Sequence, residues 1–357
     1  MFYTRITGND WSHGAIATAT GEADLGHWTT GIDDVVLAGP PPELGVQTFR
    51  DPYVFAIENG WAMVVGAGLS DGSGAVLHYH SPDLQEWTFD GVLCARLSQP
   101  SDEVWTGTMW ECPQLFPLGD SWVLLVSVWD DDVLHYVAAA CGDYDGARFV
   151  PRTWQRLTYG DSAYATTTFL DADGRRCVLS WLREEFPSEL AGDERAGAHS
   201  LPAVLTLQDD GLLHLQPHPN LAALSAETLP PQDIQEATMV AGSAPCELLI
   251  VANHACQLTI DDVVGPPARL ELDPEQRRIS LTRPGHARAE MPMAEGAARI
   301  VIDADIVEVF NGSSYGAFRL PPAPVSAPAS VPGSSARVLA VRSEYPNPLR
   351  LSLLDSA

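Results

Sequence analysis

The chain has 357 residues, 45% of them hydrophobic, with 29 Gly and 28 Pro, which is enough for two domains with cores of their own. Its 47 Asp and Glu against 20 Lys and Arg give a net charge of −27. That balance repels nucleic-acid backbones and anionic membranes and leaves neutral ligands unpenalised. All 20 basic residues are Arg, so neither a Schiff-base lysine nor a phosphate-loop lysine is available.

The six cysteines (Cys94, Cys112, Cys141, Cys177, Cys246, Cys256) form no CxxC pair and no metal-site spacing. Most lie in apolar runs and read as buried free thiols of a reducing compartment. No apolar run approaches the ~20 residues a membrane span needs. Met1-Phe2-Tyr3-Thr4-Arg5 has no signal-peptide pattern. The expectation is a cytoplasmic protein without cofactor, metal, nucleic acid or membrane partner; the oligomeric state is not fixed by the sequence.

In chain order, short runs rich in Val, Thr and aromatics alternate with Gly, Asp, Asn and Pro, the pattern of strands. Hairpins are expected where 54–57 and 61–66 flank Glu58-Asn59-Gly60, where 115–118 and 122–128 flank Gly119-Asp120, and where 166–170 and 177–182 flank Asp173-Gly174. The units repeat. Gly74-Ala75-Val76 followed by Trp87-Thr88 echoes Gly14-Ala15-Ile16 followed by Trp28-Thr29, and Trp28 and Trp87 are 59 residues apart. Asp51 precedes Glu111 by 60, and Glu111 precedes Tyr164 by 53. Four short strands per period of this length are the mark of β-propeller blades. About three and a half blades are expected, with the chain starting inside one.

Residues 1–218 therefore read as a propeller and 219–235, rich in Ala, Leu and Pro, as a short helix or linker. Residues 236–357 return to period-2 strands, including 247–252, 256–260, 268–272, 279–282, 299–310, 316–320, 336–341 and 349–354, and suggest a β-sandwich. The Pro/Ala/Ser-rich stretch 321–335 reads as a loop.

Innermost propeller strands converge on one funnel, so Asp51, Glu111 and the region from Asp161 to Tyr164 are expected to line one pocket. Converging carboxylates with aromatic neighbours are what glycoside hydrolysis needs: one group protonates the leaving oxygen and another attacks or stabilises the oxocarbenium ion. Trp110, Cys112 and Pro113 solvate Glu111 poorly, which raises its pKa and suits it to acid/base work. Arg50 is expected to keep Asp51 ionised, able to accept bonds from sugar hydroxyls. The alternative, that both carboxylates merely cap strand starts or form a salt bridge, stays open.

Arg50-Asp51-Pro52 and Trp110-Glu111-Cys112-Pro113 resemble two hallmark motifs of glycoside hydrolase family 32, the β-fructosidases. Tyr164 to Phe169 with Ser180-Trp181-Leu182, then Ser200-Leu201-Pro202, then Arg299 to Asp303 with Val307 to Phe310, are similar to later family segments, in order. The resemblance implies a five-bladed propeller, here with its first blade and part of the second missing, followed by a β-sandwich, and a retaining mechanism on fructosyl bonds of sucrose or fructans. It makes Glu111 the acid/base and Asp51 the transition-state stabiliser, with Arg50, Trp110, Cys112 and Tyr164 around the sugar.

Three departures stand out. The family's nucleophile motif, WMNDPNG-like, is absent, and Asn9-Asp10 is rejected because Trp11-Ser12 follows and Asp51 lies only 41 residues on. Gln114 replaces the acidic residue after the second motif, and Ala203 replaces an Arg. A fragment, or a catalytically silent fructoside-binding member, is expected, and in either case a poor retaining glycosidase. A related five-bladed family acting on arabinosides or xylosides, and a non-catalytic binding propeller, are the competing readings. His78, His80 and His135 read as satisfied strand histidines, Asp130-Asp131-Asp132 as a solvated turn, and Asn311-Gly312-Ser313 as a glycosylation pattern without context.

Overall fold

Runs of β-branched and aromatic residues divided by Gly, Asp and Asn become strands joined by tight turns. The computed structural model describes residues 1–8, 11–31, 33–185, 197–228, 232–242, 245–262, 267–320 and 337–354. Two compact units are formed. One is Met1–Arg156 with Tyr164–Thr168 and Asp209–Leu212; the other is Leu157–Ala163 with Phe169–Gln208 and Leu213–Ala357.

The first sheet has three strands, Phe2–Arg5, Ala15–Thr18 and Val35–Leu37. Two antiparallel four-stranded meanders follow. One is Val46–Ile57, Gly60–Leu69, Gly74–Ser81 and Thr88–Arg96; the other is Met109–Leu118, Ser121–Asp130, Val133–Tyr144 and Phe149–Arg156. A fourth sheet orders Ala163–Leu170, Arg176–Leu182, Ala203–Leu207 and Leu213–Pro217, with Ala198–His199 on the second of these. Among the described residues the propeller thus has four blades, where about three and a half of a five-bladed type were expected. The expected hairpins form at all three turns.

Gly74 makes the packing of the second and third sheets possible. A Cβ there would stand 2.3 Å from Trp110 Nε1, so only Gly admits the indole. Trp110 is fully buried, donates to Thr106 O at 2.8 Å and packs on Trp154 with centroids 5.3 Å apart.

Among the described residues the C-terminal strands belong to one twelve-stranded sheet that nearly closes on itself, and the expected sandwich is not confirmed. Its interior holds Leu248, Leu258, Leu270, Leu281, Ile300, Val309 and Leu339. The run expected as one strand over 299–310 is two, Ala297–Asp303 and Ile306–Asn311, because Ala304 turns the chain with φ 45°. Two expected strands merge into Arg337–Leu354, which pairs with partners on both sides. The Ala/Leu/Pro-rich stretch holds a 3-10 turn, Pro219–Leu224, and the strands Ser225–Thr228 and Gln232–Gly242. The loop expected over 321–335 lies outside the described residues.

Smaller expectations resolve in the same terms. His78 and His80 have the acidic partner that the sequence did not reveal: Asp90 receives both Nδ1 atoms, at 2.7 and 2.6 Å. The His135 ring meets Trp105 edge-on, at 4.7 Å. Asp131 and Asp132 form an exposed turn with φ 47° and 60°. Asn311 is buried, with its amide spent on Ala294 N and Ala297 O, so it is no accessible acceptor for a glycan. Five of the six free thiols are buried; Cys112 is the partly exposed one.

Candidate active site

The site is built on a backbone irregularity repeated in successive sheets. Asp51, Cys112 and Ala165 have φ of 65°, 47° and 47°, left-handed values that cost L-residues energy and persist only where the surroundings enforce them. The ladder breaks at the first two of these, between Arg50 and Pro52 and between Glu111 and Gln114. A bulge aims consecutive side chains where a regular pleat would alternate them. The register corrects the sequence reading. The counterpart of Asp51 is Cys112, and the counterpart of Glu111 is Arg50, so the two carboxylates are offset by one residue.

Each bulged residue loses its ladder partner, and its amide needs another. The Asp51 amide donates to Thr4 Oγ1 at 2.7 Å. The Cys112 amide donates to Asp51 Oδ2 at 3.1 Å, and its thiol lies 3.5 Å from the same oxygen. Thr4 Oγ1 is also 3.5 Å from Asp51 Oδ1. A hydroxyl on the first strand thus orients one bulge, and the carboxylate of that bulge satisfies the next.

Glu111 is held from the other side. Arg50 Nε donates to its Oε1 at 2.7 Å and the Tyr164 hydroxyl to its Oε2 at 2.6 Å. Arg50 Nη1 donates to Trp11 O at 3.0 Å, and its guanidinium lies 5.8 Å from the Trp129 ring centroid. The surroundings of Glu111 are therefore polar on both oxygens, not the apolar setting the neighbouring sequence implies; its side chain keeps 13% exposure.

The expectation for Asp51 also changes. Its pKa is raised, first by burial and next by the negative charge of Glu111. The Cys112 amide bond and Arg50 pull it down without reversing the shift. Arg50 spends its Nε on Glu111, which is why it does not hold Asp51 low. Burial pushes the Cys112 thiol well up, and Asp51 and Glu111 push it further.

A cavity of about 470 Å³ opens on this array. Arg50, Asp51 and Cys112 line it, joined by Gln114 and by Thr4 and Trp11, which sequence reasoning missed. No motif marks Thr4, and its role shows only once the Asp51 amide is seen to need a partner. Glu111, expected beside Asp51 in the pocket, is not in the lining, and neither are Trp110 and Tyr164: Trp110 is core, and the Tyr164 hydroxyl holds Glu111. Asp161 lies elsewhere too, 3.6 Å from Arg283 Nη2. Gln114, in place of an acid, accepts from the Thr168 amide at 3.3 Å. Asn9 and Asp10 lie outside the described residues. Among the described residues, Asp51 is the one carboxylate in the lining.

Residues 1–217 match the family described as glycosyl hydrolases family 32 N-terminal domain. The sucrose-6-phosphate hydrolase of Escherichia coli is 28% identical over 312 residues, 80% of this chain and 63% of that protein. That of Salmonella typhimurium is 30% identical over 296 residues, 78% of this chain and 61% of that protein. The chain therefore spans about three fifths of the length of these relatives. The Bombyx mori GH32 beta-fructofuranosidase superposes with a TM-score of 0.81 at 23% identity, covering 99% of this chain and 76% of that one. A mutant of that enzyme was solved in complex with sucrose.

Proposed function

The chain belongs to glycoside hydrolase family 32, and on that footing we propose that its cavity is a fructoside site of the β-fructosidase type. Asp51 holds fructosyl hydroxyls and Glu111 is the acid/base. The observation that carries this reading is the pairing of the two bulges: one carboxylate faces the cavity, and the other sits one register position away, clamped by Arg50 and Tyr164.

The chemistry follows from those positions. Glu111 donates its proton to the glycosidic oxygen as the bond to the fructosyl carbon breaks, and Asp51, when ionised, accepts from the hydroxyls of the forming oxocarbenium ion. A retaining route also needs a carboxylate to attack that carbon. The described lining offers none besides Asp51, and the raised Cys112 thiol stays protonated and unreactive. The chain is accordingly proposed to bind β-fructosides of the sucrose or fructan kind and to hydrolyse them no faster than buffer does. The relatives' names favour sucrose-type ligands. The related reading, a site for arabinosides or xylosides, lacks any matching observation.

Calorimetric titration of the purified chain separates these readings. Fructose is expected to bind saturably and arabinose and xylose not at all. Tighter binding of arabinose transfers the site to the related family, and silence toward all three sugars removes the fructoside reading.

A further inference from the structure

A line of polar side chains crosses the outer face of the C-terminal sheet. Arg342 pairs across strands with Gln257, Gln257 with Glu271, Glu271 with Ser280, and Ser280 with Glu290. Five strands thus carry one straight row perpendicular to their axes, roughly 19 Å long at ~4.8 Å per strand. The alternating neighbours, Leu258, Leu270, Leu272 and Leu281, point into the core and fix the row outside.

The row is braced and not a loose surface. Glu271 receives Gln257 Nε2 at 3.2 Å and Arg288 Nη2 at 3.0 Å, and Arg288 Nη2 also donates to Ser280 Oγ at 2.6 Å. Arg288 Nε lies 3.3 Å from Glu290 Oε1. Ser280 is only 2% exposed. A cavity of about 350 Å³ lies over four members of the row.

The lining dictates what can fill it. Three guanidiniums (Arg278, Arg288, Arg342) face three carboxylates (Glu271, Asp273, Glu344), so neither anion nor cation gains. No aromatic ring stands in the described lining, so there is no platform for a flat apolar face. What remains is a line of fixed donors and acceptors, suited to a neutral chain with hydroxyls on all sides. Fructofuranose units are of that kind.

We infer that this row is a docking groove for a polymeric fructan, separate from the Asp51 cavity; the inference rests on the fructoside reading of that cavity. Electrophoresis of the full chain through gels containing levan or inulin, beside calorimetry with fructose, tests it. The Gln257→Ala/Arg288→Ala variant is expected to be retarded about tenfold more weakly, the worth of one or two hydrogen bonds, with fructose affinity unchanged. Gln257→Ala alone, at a half-buried surface position, is expected to show a smaller loss and serves if the double variant misfolds. Undiminished retardation of a folded variant overturns the groove. A wild-type chain that binds fructose but migrates unretarded overturns the groove alone. A chain that binds neither overturns the fructoside reading with it.

Discussion

Asp51→Asn is expected to raise the thermal midpoint at pH 7 by about 2–4 °C while weakening fructose binding roughly tenfold to a hundredfold. Both effects come from one buried charge. The folded state raises the Asp51 pKa, because burial and Glu111 both oppose ionisation. A raised carboxyl stabilises the fold fully below the unfolded pKa, and that contribution is lost as pH rises through the folded value. At neutral pH the native Asp51 therefore costs stability, and Asn removes the cost while its Oδ1 still accepts from the Cys112 amide. The difference in midpoint between wild type and variant is expected to vanish below about pH 4 and to grow toward pH 7. Scanning calorimetry at several pH values reads this directly. An Asn variant less stable than wild type at pH 7 contradicts the sign.

Glu185→Ala is expected to be among the most destabilising single changes, at about 3–5 kcal/mol. Glu185 accepts from Arg283 Nη1, from the Ser162 hydroxyl and from the Arg319 amide at 2.9 Å. The side chains of Glu185 and Arg283 are 3% and 0% exposed. Arg283 has no hydrogen-bond partner for Nε among the described residues and reaches Asp161 only at 3.6 Å. Removing Glu185 leaves the buried Arg283 guanidinium with the Arg319 carbonyl at 2.7 Å and no close carboxylate, and an uncompensated buried charge is far costlier than the net worth of the pair. Arg319 feels the loss through its amide, although its guanidinium keeps Asp305 at 2.9 Å and Glu184 at 3.2 Å. Glu185→Gln, which retains the acceptor and loses the charge, is expected to cost less. Urea unfolding of the full chain gives both numbers, and a cost below about 1 kcal/mol for the Ala variant would show that the knot is solvated.

Where the sequence was legible, local chemistry decided the outcome. Glu58-Asn59-Gly60 and Asp173-Gly174 make their turns because few other residues fit them, and the alternation in 268–272 and 279–282 forms strands as read, with the leucines inward. Legibility failed where one residue shifts the register. Asp51 and Glu111 look equivalent at a spacing of 60, but the bulges make 61 the true interval and pair Asp51 with Cys112. Trp110 beside a carboxylate looks like a sugar platform, yet Gly74, some 36 residues away, opens the slot that buries it. Glu185 carries no local signal, since its partners lie 23 residues before it and 98 and 134 residues after it. The closing sheet was hidden for a similar reason: the two strands read separately at 336–341 and 349–354 are one, and it joins what would otherwise be two sheets.

The most direct measurement is fructose release from sucrose, levan and inulin by the purified chain, followed by proton NMR over days, beside calorimetric fructose binding on the same sample. The predicted result is saturable binding that Asp51→Asn weakens, with release no faster than in buffer. Release that Glu111→Gln abolishes would contradict the account, because a working acid/base then has an attacking group that the described cavity does not contain.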